Sequence, residues 1–220
     1  MLDLANFSAV IFDMDGLVLD TEATYFIAWQ QAGSQLGYTL SDEFCQSFSG
    51  LNGDAIKQKL MAEFGANFDL PHFNQTANKL WREYVNRNGI EVKRGFKELL
   101  AFINQQQLPY CLATNSRAIN ALECLELAGL NDVFATIISR DDVINGKPAP
   151  DIFLKAADSL GIPIQQCLVL EDSHAGIVAA RKAGAFAVFI PSILPIDPLT
   201  LAHCDVMLPD LINVLESFRA

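Results

Sequence analysis

The segment from Ala9 to Gly16 constrains the fold more than any other part of the sequence. It reads Ala-Val-Ile-Phe-Asp-Met-Asp-Gly, so an apolar run ends abruptly in two carboxylates separated by one residue. A short apolar run of this kind predicts a buried strand of a parallel sheet. Because carboxylates are rarely buried without a partner, Asp13 and Asp15 indicate a cation, a hydrogen-bond network or solvent beside the end of the strand. In open α/β sheets, ligands bind at that end.

Strands and helices alternate in the second half of the chain. The apolar pattern predicts strands at 109–114, 134–139, 167–170, 186–190 and 205–208. It predicts helices at 95–106, 116–128, 151–160, 174–183 and 211–218. Alternation of this kind predicts an α/β fold, with a Rossmann-like parallel sheet covered by helices on both faces.

Residues 19–88 show a different pattern. Their apolar periodicity predicts helices at 21–36, 41–48, 54–64 and 72–86, and no convincing strand separates them. Because this block lies between the first strand and the others, it is an insertion into the α/β domain. We therefore predict a core domain of residues 1–18 and 89–220 and an all-helical cap domain of residues 19–88.

The charge of the chain limits its partners. The 220 residues carry a formal net charge of −11 at pH 7. Binding to nucleic acid requires an excess of Lys and Arg to neutralise phosphates, so we expect no nucleic-acid partner. The same acidity repels anionic substrates at long range, so a phosphate ligand must be attracted by local positive groups.

The sequence indicates a cytoplasmic protein. Its first residues lack the basic start and long apolar stretch of a signal peptide, and the apolar stretch at 183–191 is too short to span a bilayer. We therefore expect no membrane partner. The five cysteines are scattered without metal-ligand spacing, as expected of small buried side chains in a reducing compartment. The sequence does not predict an oligomeric state.

Polar side chains also follow two other predicted strands. Thr114-Asn115-Ser116 follows one, Glu171-Asp172 follows another, and Lys147 lies in the loop between them. Each feature alone has a structural interpretation, because the polar segments could cap helices and a single loop lysine is usually solvated. Their convergence with Asp13 and Asp15 at one edge of the sheet favours a functional site.

These side chains fit a phosphate site that contains a metal. The carboxylates form an oxygen-rich site that suits Mg²⁺, which binds one or two carboxylates, keeps several waters and bridges substrate phosphate. They are Asp13, Asp15, Glu171 and Asp172. One Mg²⁺ and Lys147 would offset most of their charge. The hydroxyls of Thr114 and Ser116, with the amides of a helix N-terminus, would then bind the phosphate.

Four polar segments of the chain, in their sequence order, resemble the motifs of the haloacid dehalogenase superfamily of phosphotransferases. The segment Asp13-Met14-Asp15-Gly16, then Thr114, Lys147 and Glu171-Asp172 match its four motifs, and the match spans nearly the whole chain. The helical insertion after the first motif is similar to one branch of this superfamily. That branch contains phosphoglycolate-type and sugar-phosphate phosphatases, pseudouridine-monophosphate phosphatases and β-phosphoglucomutase.

The resemblance implies roles for the acidic residues. Asp13 would attack phosphorus and form an aspartyl-phosphate. Asp15 would protonate the leaving alkoxide and then take a proton from the attacking water. Mg²⁺ would be held by Asp13, the main-chain carbonyl of Asp15 and Asp172, with Glu171 nearby or acting through water.

The resemblance also implies how a small phosphorylated metabolite is held. Thr114 and Lys147 would bind the phosphoryl oxygens, while Gly16, Asn115 and Ser116 would contact the substrate. The helical cap would close over the site, exclude water during the first step and supply further contacts. From the sequence itself, the aromatic and polar loop of residues 48–53, between two predicted cap helices, is the segment that we expect to set specificity.

Within this family the sequence favours a phosphatase over a mutase. The second aspartate, Asp15, argues against a true dehalogenase, because halide leaves without a proton. A mutase of the β-phosphoglucomutase kind has a cap histidine where this chain has Tyr25 and a cap arginine where it has Gly53. Both differences weaken the binding of a second phosphate group, so we predict hydrolysis and retain the mutase as the alternative.

The sequence gives weaker support to other enzyme mechanisms and to a non-catalytic function. Cys111 and Arg117 have the spacing of a cysteine-dependent phosphatase loop, but Cys111 lies inside an apolar strand and no glycine follows it in the loop. A serine hydrolase lacks its Gly-x-Ser-x-Gly turn. A non-catalytic binding module of the same fold would not need Asp15 as a leaving-group acid.

Overall fold

A computed structural model of the protein describes residues 3–49, 51, 53–192 and 196–219. These residues contain a parallel sheet of six strands in the order β3-β2-β1-β4-β5-β6. The strands are β1 (Ala9–Phe12), β2 (Tyr110–Ala113), β3 (Ile137–Ile138), β4 (Cys167–Glu171), β5 (Phe186–Phe189) and β6 (Val206–Met207). Because β1 pairs with β2 on one side and β4 on the other, its carboxyl end lies at the switch point of the sheet, where ligands bind in such folds.

Helices connect these strands and form the inserted block. They are α1 (Thr21–Gln35), α2 (Asp42–Gln46), α3 (Gly53–Phe64), α4 (Leu70–Asn88), α5 (Phe96–Gln105), α6 (Ala118–Leu127), α7 (Asp151–Leu160), α8 (His174–Ala183), α9 (Pro198–Leu201) and α10 (Leu211–Arg219). Among the helices of the described residues, none combines the length and the hydropathy that crossing a bilayer requires.

The chain divides into two compact units, residues 1–20 with 91–220 and residues 21–90. The first contains the sheet and helices α5 to α10, and the second contains helices α1 to α4. The domain limits predicted from the sequence, 18/19 and 88/89, each lie two residues before these divisions. The predicted α/β class, with a Rossmann-like parallel sheet, is confirmed.

Strand β1 is buried on both faces of the sheet. Ala9 and Ile11 belong to an apolar cluster with residues of α7 and α8, whereas Phe12 packs edge-to-face against Phe96 of α5 and against Phe134. All four residues of the strand are fully buried. Such a strand positions the residues that follow it rigidly, because close packing on both faces prevents it from shifting.

The helical unit has a core of its own. Aromatic side chains dominate this core, and the ring of Tyr25 stacks on both Trp29 and Trp81. The indole N–H of Trp81 donates a 2.9 Å hydrogen bond to the hydroxyl of Thr24, so the buried ring does not leave its polar atom unpaired.

Some element boundaries differ from the sequence prediction. The predicted strand at 134–139 was too long, because only Ile137–Ile138 pairs with β2. Phe134 instead packs into the aromatic cluster, and the carbonyl of Val133 accepts a hydrogen bond from the hydroxyl of Tyr110. Helix α6 begins at Ala118 instead of residue 116, and helix α9 was not predicted.

A substitution at Gly95 tests the packing of α5 against α10. Gly95 precedes α5 with φ +89°, and a Cβ there would lie 2.6 Å from the main-chain nitrogen of Ile212. Gly129 also has a positive φ, +68°, but a Cβ there would meet open space. We expect Gly129→Ala to lower the free energy of unfolding by about 1 kcal/mol from backbone strain alone, and Gly95→Ala by about 3 kcal/mol. Urea unfolding measures both, and equal losses would contradict the close packing at Gly95.

Candidate active site

The loop after β1 carries the first two acidic residues. The main-chain N–H of Asp13 donates a 3.1 Å bond to the carbonyl of Leu170, so Asp13 continues the sheet and its side chain is nearly buried. Gly16 has φ +85°, and a Cβ at this position would overlap the carboxylate of Asp172. A glycine is therefore required here, both for the turn and for the approach of Asp172.

Lys147 joins the ends of three strands. Its side-chain ammonium is almost fully buried and donates to Oδ1 of Asp13, to Oε1 of Glu171 at 2.7 Å and to the carbonyl of Ala113 at 3.0 Å. These acceptors follow β1, end β4 and end β2, respectively. Three acceptors satisfy the three donors of the ammonium, as a buried lysine requires.

Glu171 is fully buried and both of its oxygens are engaged. Oε1 accepts from Lys147, while Oε2 accepts from the main-chain N–H of Ser173 at 2.8 Å and from its hydroxyl at 3.0 Å. The carboxylate lies against Gly176 in the first turn of α8, where any Cβ would overlap it. These contacts orient Glu171 toward Lys147 and occupy both of its oxygens. In a metal site, Glu171 would therefore act through a bound water and would not coordinate the ion directly.

Asp172 accepts a hydrogen bond from a serine that follows β5. Its Oδ2 accepts a 2.6 Å hydrogen bond from the hydroxyl of Ser192, which lies shortly after the strand. Ligand atoms of Asp13, Glu171 and Asp172 lie within 4.8 Å of one another. Donor oxygens on opposite sides of a Mg²⁺ ion lie about 4.2 Å apart, so this cluster of hard oxygen donors fits such an ion after a small movement. Asp13 and Asp172 are the carboxylates that would hold it.

Asp15 is oriented by hydroxyl groups. Its Oδ2 accepts from the hydroxyl of Ser116 at 2.8 Å and from that of Thr114 at 3.2 Å. The hydroxyl of Thr114 also accepts a bond from the main-chain N–H of Ser116, so the turn after β2 presents both groups together. The sequence predicts these hydroxyls as phosphate contacts, and their pairing with the second aspartate adds a contact that it did not predict.

Asn115 lies beside Lys147, and its carboxamide bonds to the main chain of that lysine. The sequence predicts a substrate contact for Asn115, and its bonds to the main chain of Lys147 were not predicted. All nine site residues predicted from the sequence lie at the carboxyl edge of the sheet. They are Asp13, Asp15, Gly16, Thr114, Asn115, Ser116, Lys147, Glu171 and Asp172.

Burial and charge determine the protonation of this cluster. Burial raises the pKa of Asp13 to about 8. The positive charge of Lys147 lowers this pKa, whereas the negative charges of Glu171 and Asp15 raise it further. For Lys147, burial disfavours the charged form, but the two carboxylates outweigh it and raise its pKa well above the usual value. Lys147 is therefore a permanent cation here, and a further cation beside Asp13 would favour its ionised, nucleophilic form.

The comparisons with known proteins agree with this geometry. The family description "Haloacid dehalogenase-like hydrolase" matches residues 10–190, which include the whole acidic cluster. The chain belongs to the haloacid dehalogenase-like hydrolases. The resemblance inferred from the motifs is thus confirmed, and the protein is an enzyme of this hydrolase family.

Individual relatives cover most of the chain. The "Probable pseudouridine-5'-phosphatase" of Drosophila melanogaster is 34% identical over 189 residues, covering 82% of this chain and 80% of that protein. The "Beta-phosphoglucomutase" of Bacillus subtilis is 30% identical over 186 residues, covering 82% and 81%. A haloacid dehalogenase family hydrolase of Deinococcus radiodurans, solved with bound phosphate and sodium, has a TM-score of 0.81 at 26% identity and covers 97% of this chain and 95% of its own.

Two residues that support the site, Ser192 and Gly176, were not predicted from the sequence. Ser192 could have been found, since it follows the end of a predicted strand as the other site residues do. Gly176 gave no such signal, because a glycine in a helix is common. The segment 48–53, predicted to set specificity, includes Gly50 and Asn52, which lie outside the described residues.

The structure excludes the cysteine-phosphatase interpretation. Cys111 is fully buried in β2, and burial, with a smaller effect of Cys167, raises the pKa of its thiol to about 12. Arg117 is engaged with Asp141 through a 3.2 Å ion pair and does not face a thiolate. A nucleophilic cysteine needs a depressed pKa and access to solvent, and Cys111 has neither.

Alkylation tests this conclusion. With a pKa of about 12, only about one Cys111 thiol in 10⁴ is ionised at pH 8, so iodoacetamide should leave it unmodified in the folded protein. Half-buried Cys204 serves as the control and should react sooner. Peptide mass spectrometry measures both. Rapid alkylation of Cys111 with parallel loss of activity would restore the cysteine mechanism.

Proposed function

We propose that the protein is a Mg²⁺-dependent phosphomonoesterase that acts on a small phosphorylated metabolite through an aspartyl-phosphate. The observation that carries this proposal is the contact of Lys147 with both Asp13 and Glu171, beside Asp172, at the carboxyl end of β1. This arrangement supports a nucleophilic role for Asp13, a charge-compensating role for Lys147 and a metal-binding role for Asp172, since one phosphoryl group could contact all three.

Each residue has a chemical role in the proposed reaction. A carboxylate oxygen of Asp13 attacks phosphorus, the bond to the leaving oxygen breaks, and Asp15 donates a proton to that oxygen. Asp15 then removes a proton from the water that hydrolyses the aspartyl-phosphate. The hydroxyls of Thr114 and Ser116 hold Asp15 in a fixed orientation for both transfers.

Positive charge must compensate the phosphoryl oxygens during transfer. Lys147 supplies one such charge from a buried position, where it is screened little by solvent. A bound Mg²⁺ would act as a Lewis acid on the phosphoryl oxygens, held by Asp13 and Asp172. Ser192 holds Asp172 in place, and the buried contacts of Glu171 hold Lys147.

A sugar-phosphate mutase is the second candidate. It is supported by the likeness to the Bacillus subtilis β-phosphoglucomutase. Against it, Tyr25 and Gly53 stand where such mutases have a histidine and an arginine. The two functions differ in product, since β-glucose 1-phosphate with its bisphosphate activator gives glucose 6-phosphate with a mutase and free phosphate with a phosphatase.

Replacement of the nucleophile provides the main test. We expect Asp13→Asn to lower the turnover of p-nitrophenyl phosphate with Mg²⁺ at least about 10⁴-fold, because an amide oxygen cannot form the acyl phosphate. Asp132→Asn, a change at an exposed acid, is the matched control and should keep wild-type turnover. EDTA should abolish wild-type activity and added Mg²⁺ should restore it. A folded Asp13→Asn enzyme with normal rates would disprove the assignment.

The role of Asp15 is tested by the leaving group. Without an acid, Asp15→Asn should still release p-nitrophenolate in a burst close to the enzyme concentration, because this anion leaves unprotonated. An alkyl phosphate such as glycerol phosphate should show no burst and should lose about 10²- to 10⁴-fold in rate. Rapid-quench kinetics measures both substrates. Equal loss of the first step for the two substrates would contradict the acid role.

A further inference from the structure

The segment that carries Lys147 is held by side chains from other parts of the α/β unit. Residues 143–150 form neither helix nor strand, so no regular ladder fixes their main chain. The guanidinium of Arg140 donates to the carbonyls of Val143 at 2.8 Å and Ile144 at 3.0 Å. The carboxamide of Asn115 then holds the segment at the catalytic lysine itself.

Asn115 engages both main-chain polar atoms of Lys147. Its Oδ1 accepts from the N–H of Lys147 at 2.8 Å, and its Nδ2 donates to the carbonyl of Lys147 at 3.2 Å. This pairing requires one acceptor and one donor on the same planar group, which a carboxamide supplies. The contact is therefore specific in chemistry as well as in distance.

Gly146 leaves space for this contact. A Cβ at Gly146 would lie 2.5 Å from Oδ1 of Asn115 and 2.8 Å from Cδ of Arg140. Both side chains thus pack against the main chain of Gly146 where any larger residue would displace them. The absence of a side chain at Gly146 thus provides the space that the carboxamide of Asn115 occupies.

Residues at the end of β2 and in the turn after it contact both the main chain and the side-chain ammonium of Lys147. Asn115 binds its main chain, and the carbonyl of Ala113, two residues earlier, accepts from its ammonium at 3.0 Å. A lysine side chain has about 2 kcal/mol of rotamer entropy to lose when it is held in one position. Fixing its main chain relative to Ala113 reduces the conformations that place Nζ between Asp13 and Glu171.

We propose that Asn115 is a positioning residue for Lys147, holding its main chain so that the ammonium lies between the nucleophile and Glu171. The kinetic consequence rests on the proposed function, in which Lys147 binds the phosphoryl group. The structural consequence does not, because the position of Lys147 can be measured without turnover.

The first experiment measures the protection of Lys147. Wild type and Asn115→Ala are treated with limiting acetic anhydride, and acetylation at Lys147 is compared with that at exposed Lys97 by peptide mass spectrometry. We expect Asn115→Ala to raise the relative acetylation of Lys147 about threefold to tenfold, and Asn120→Ala, a change at an exposed asparagine of α6, to leave it unchanged. Unchanged labelling of Lys147 in folded Asn115→Ala overturns the proposal.

The second experiment is a double-mutant cycle in the hydrolysis of p-nitrophenyl phosphate with Mg²⁺. We expect Asn115→Ala to lower kcat about tenfold when Lys147 is present and less than about twofold in the Lys147→Met background. Equal effects in both backgrounds mean that Asn115 acts on the substrate independently, and they overturn the proposal.

Two further outcomes remain distinguishable. If Asn115→Ala does not fold, as judged by circular dichroism, Gly146→Ala replaces it, since the new Cβ displaces Oδ1 of Asn115 and should expose Lys147 in the same way. If wild type hydrolyses no phosphate ester, the proposed function fails. The acetylation result still decides whether Asn115 positions Lys147.

Discussion

The buried contact of Lys147 with Asp13 and Glu171 determines the arrangement of everything around it. Two carboxylates and one ammonium leave water together, which is tolerable only when each charge is paired and each donor satisfied. Removing the lysine would leave two buried carboxyl groups without their cation, at a penalty of about 3–5 kcal/mol for a broken pair. The three acceptors lie at the ends of three neighbouring strands, β2, β1 and β4, so the strand order of the sheet brings them together around the ammonium.

The same cluster explains residues that would otherwise look like packing details. Gly16 and Gly176 stand where a Cβ would overlap the carboxylates of Asp172 and Glu171, respectively. Ser173 caps α8 with its hydroxyl and also donates to Glu171, so the start of the helix and the orientation of the acid depend on one side chain. Stability and function are coupled here, because the bonds that begin the helix also hold the charge that fixes Lys147.

The sequence predicted the positions of the residues of the candidate site better than their contacts. Apolar runs ending in polar residues locate the ends of β1, β2 and β4, since burial and chain direction are properties of the local pattern. Which hydroxyl pairs with which carboxylate depends on loop paths and rotamers, and no periodicity encodes those. The hydrogen bonds of Thr114 and Ser116 to Asp15 were therefore not predicted, and their contact with phosphate stays a prediction. Edge strand β3 was predicted too long.

The geometry of Lys147 also constrains how a phosphoryl group could enter the proposed site. All three of its donors are used by protein acceptors, so a phosphoryl oxygen can gain the ammonium only by replacing one of them. The Ala113 carbonyl is fixed by the sheet, and Glu171 is held by Ser173. In the proposed reaction Asp13 is the acceptor whose role changes, since its carboxylate attacks phosphorus. Transfer of Lys147 from Asp13 to the phosphoryl group would therefore activate the nucleophile and bind the substrate in one movement, while Ala113 and Glu171 keep the ammonium in place.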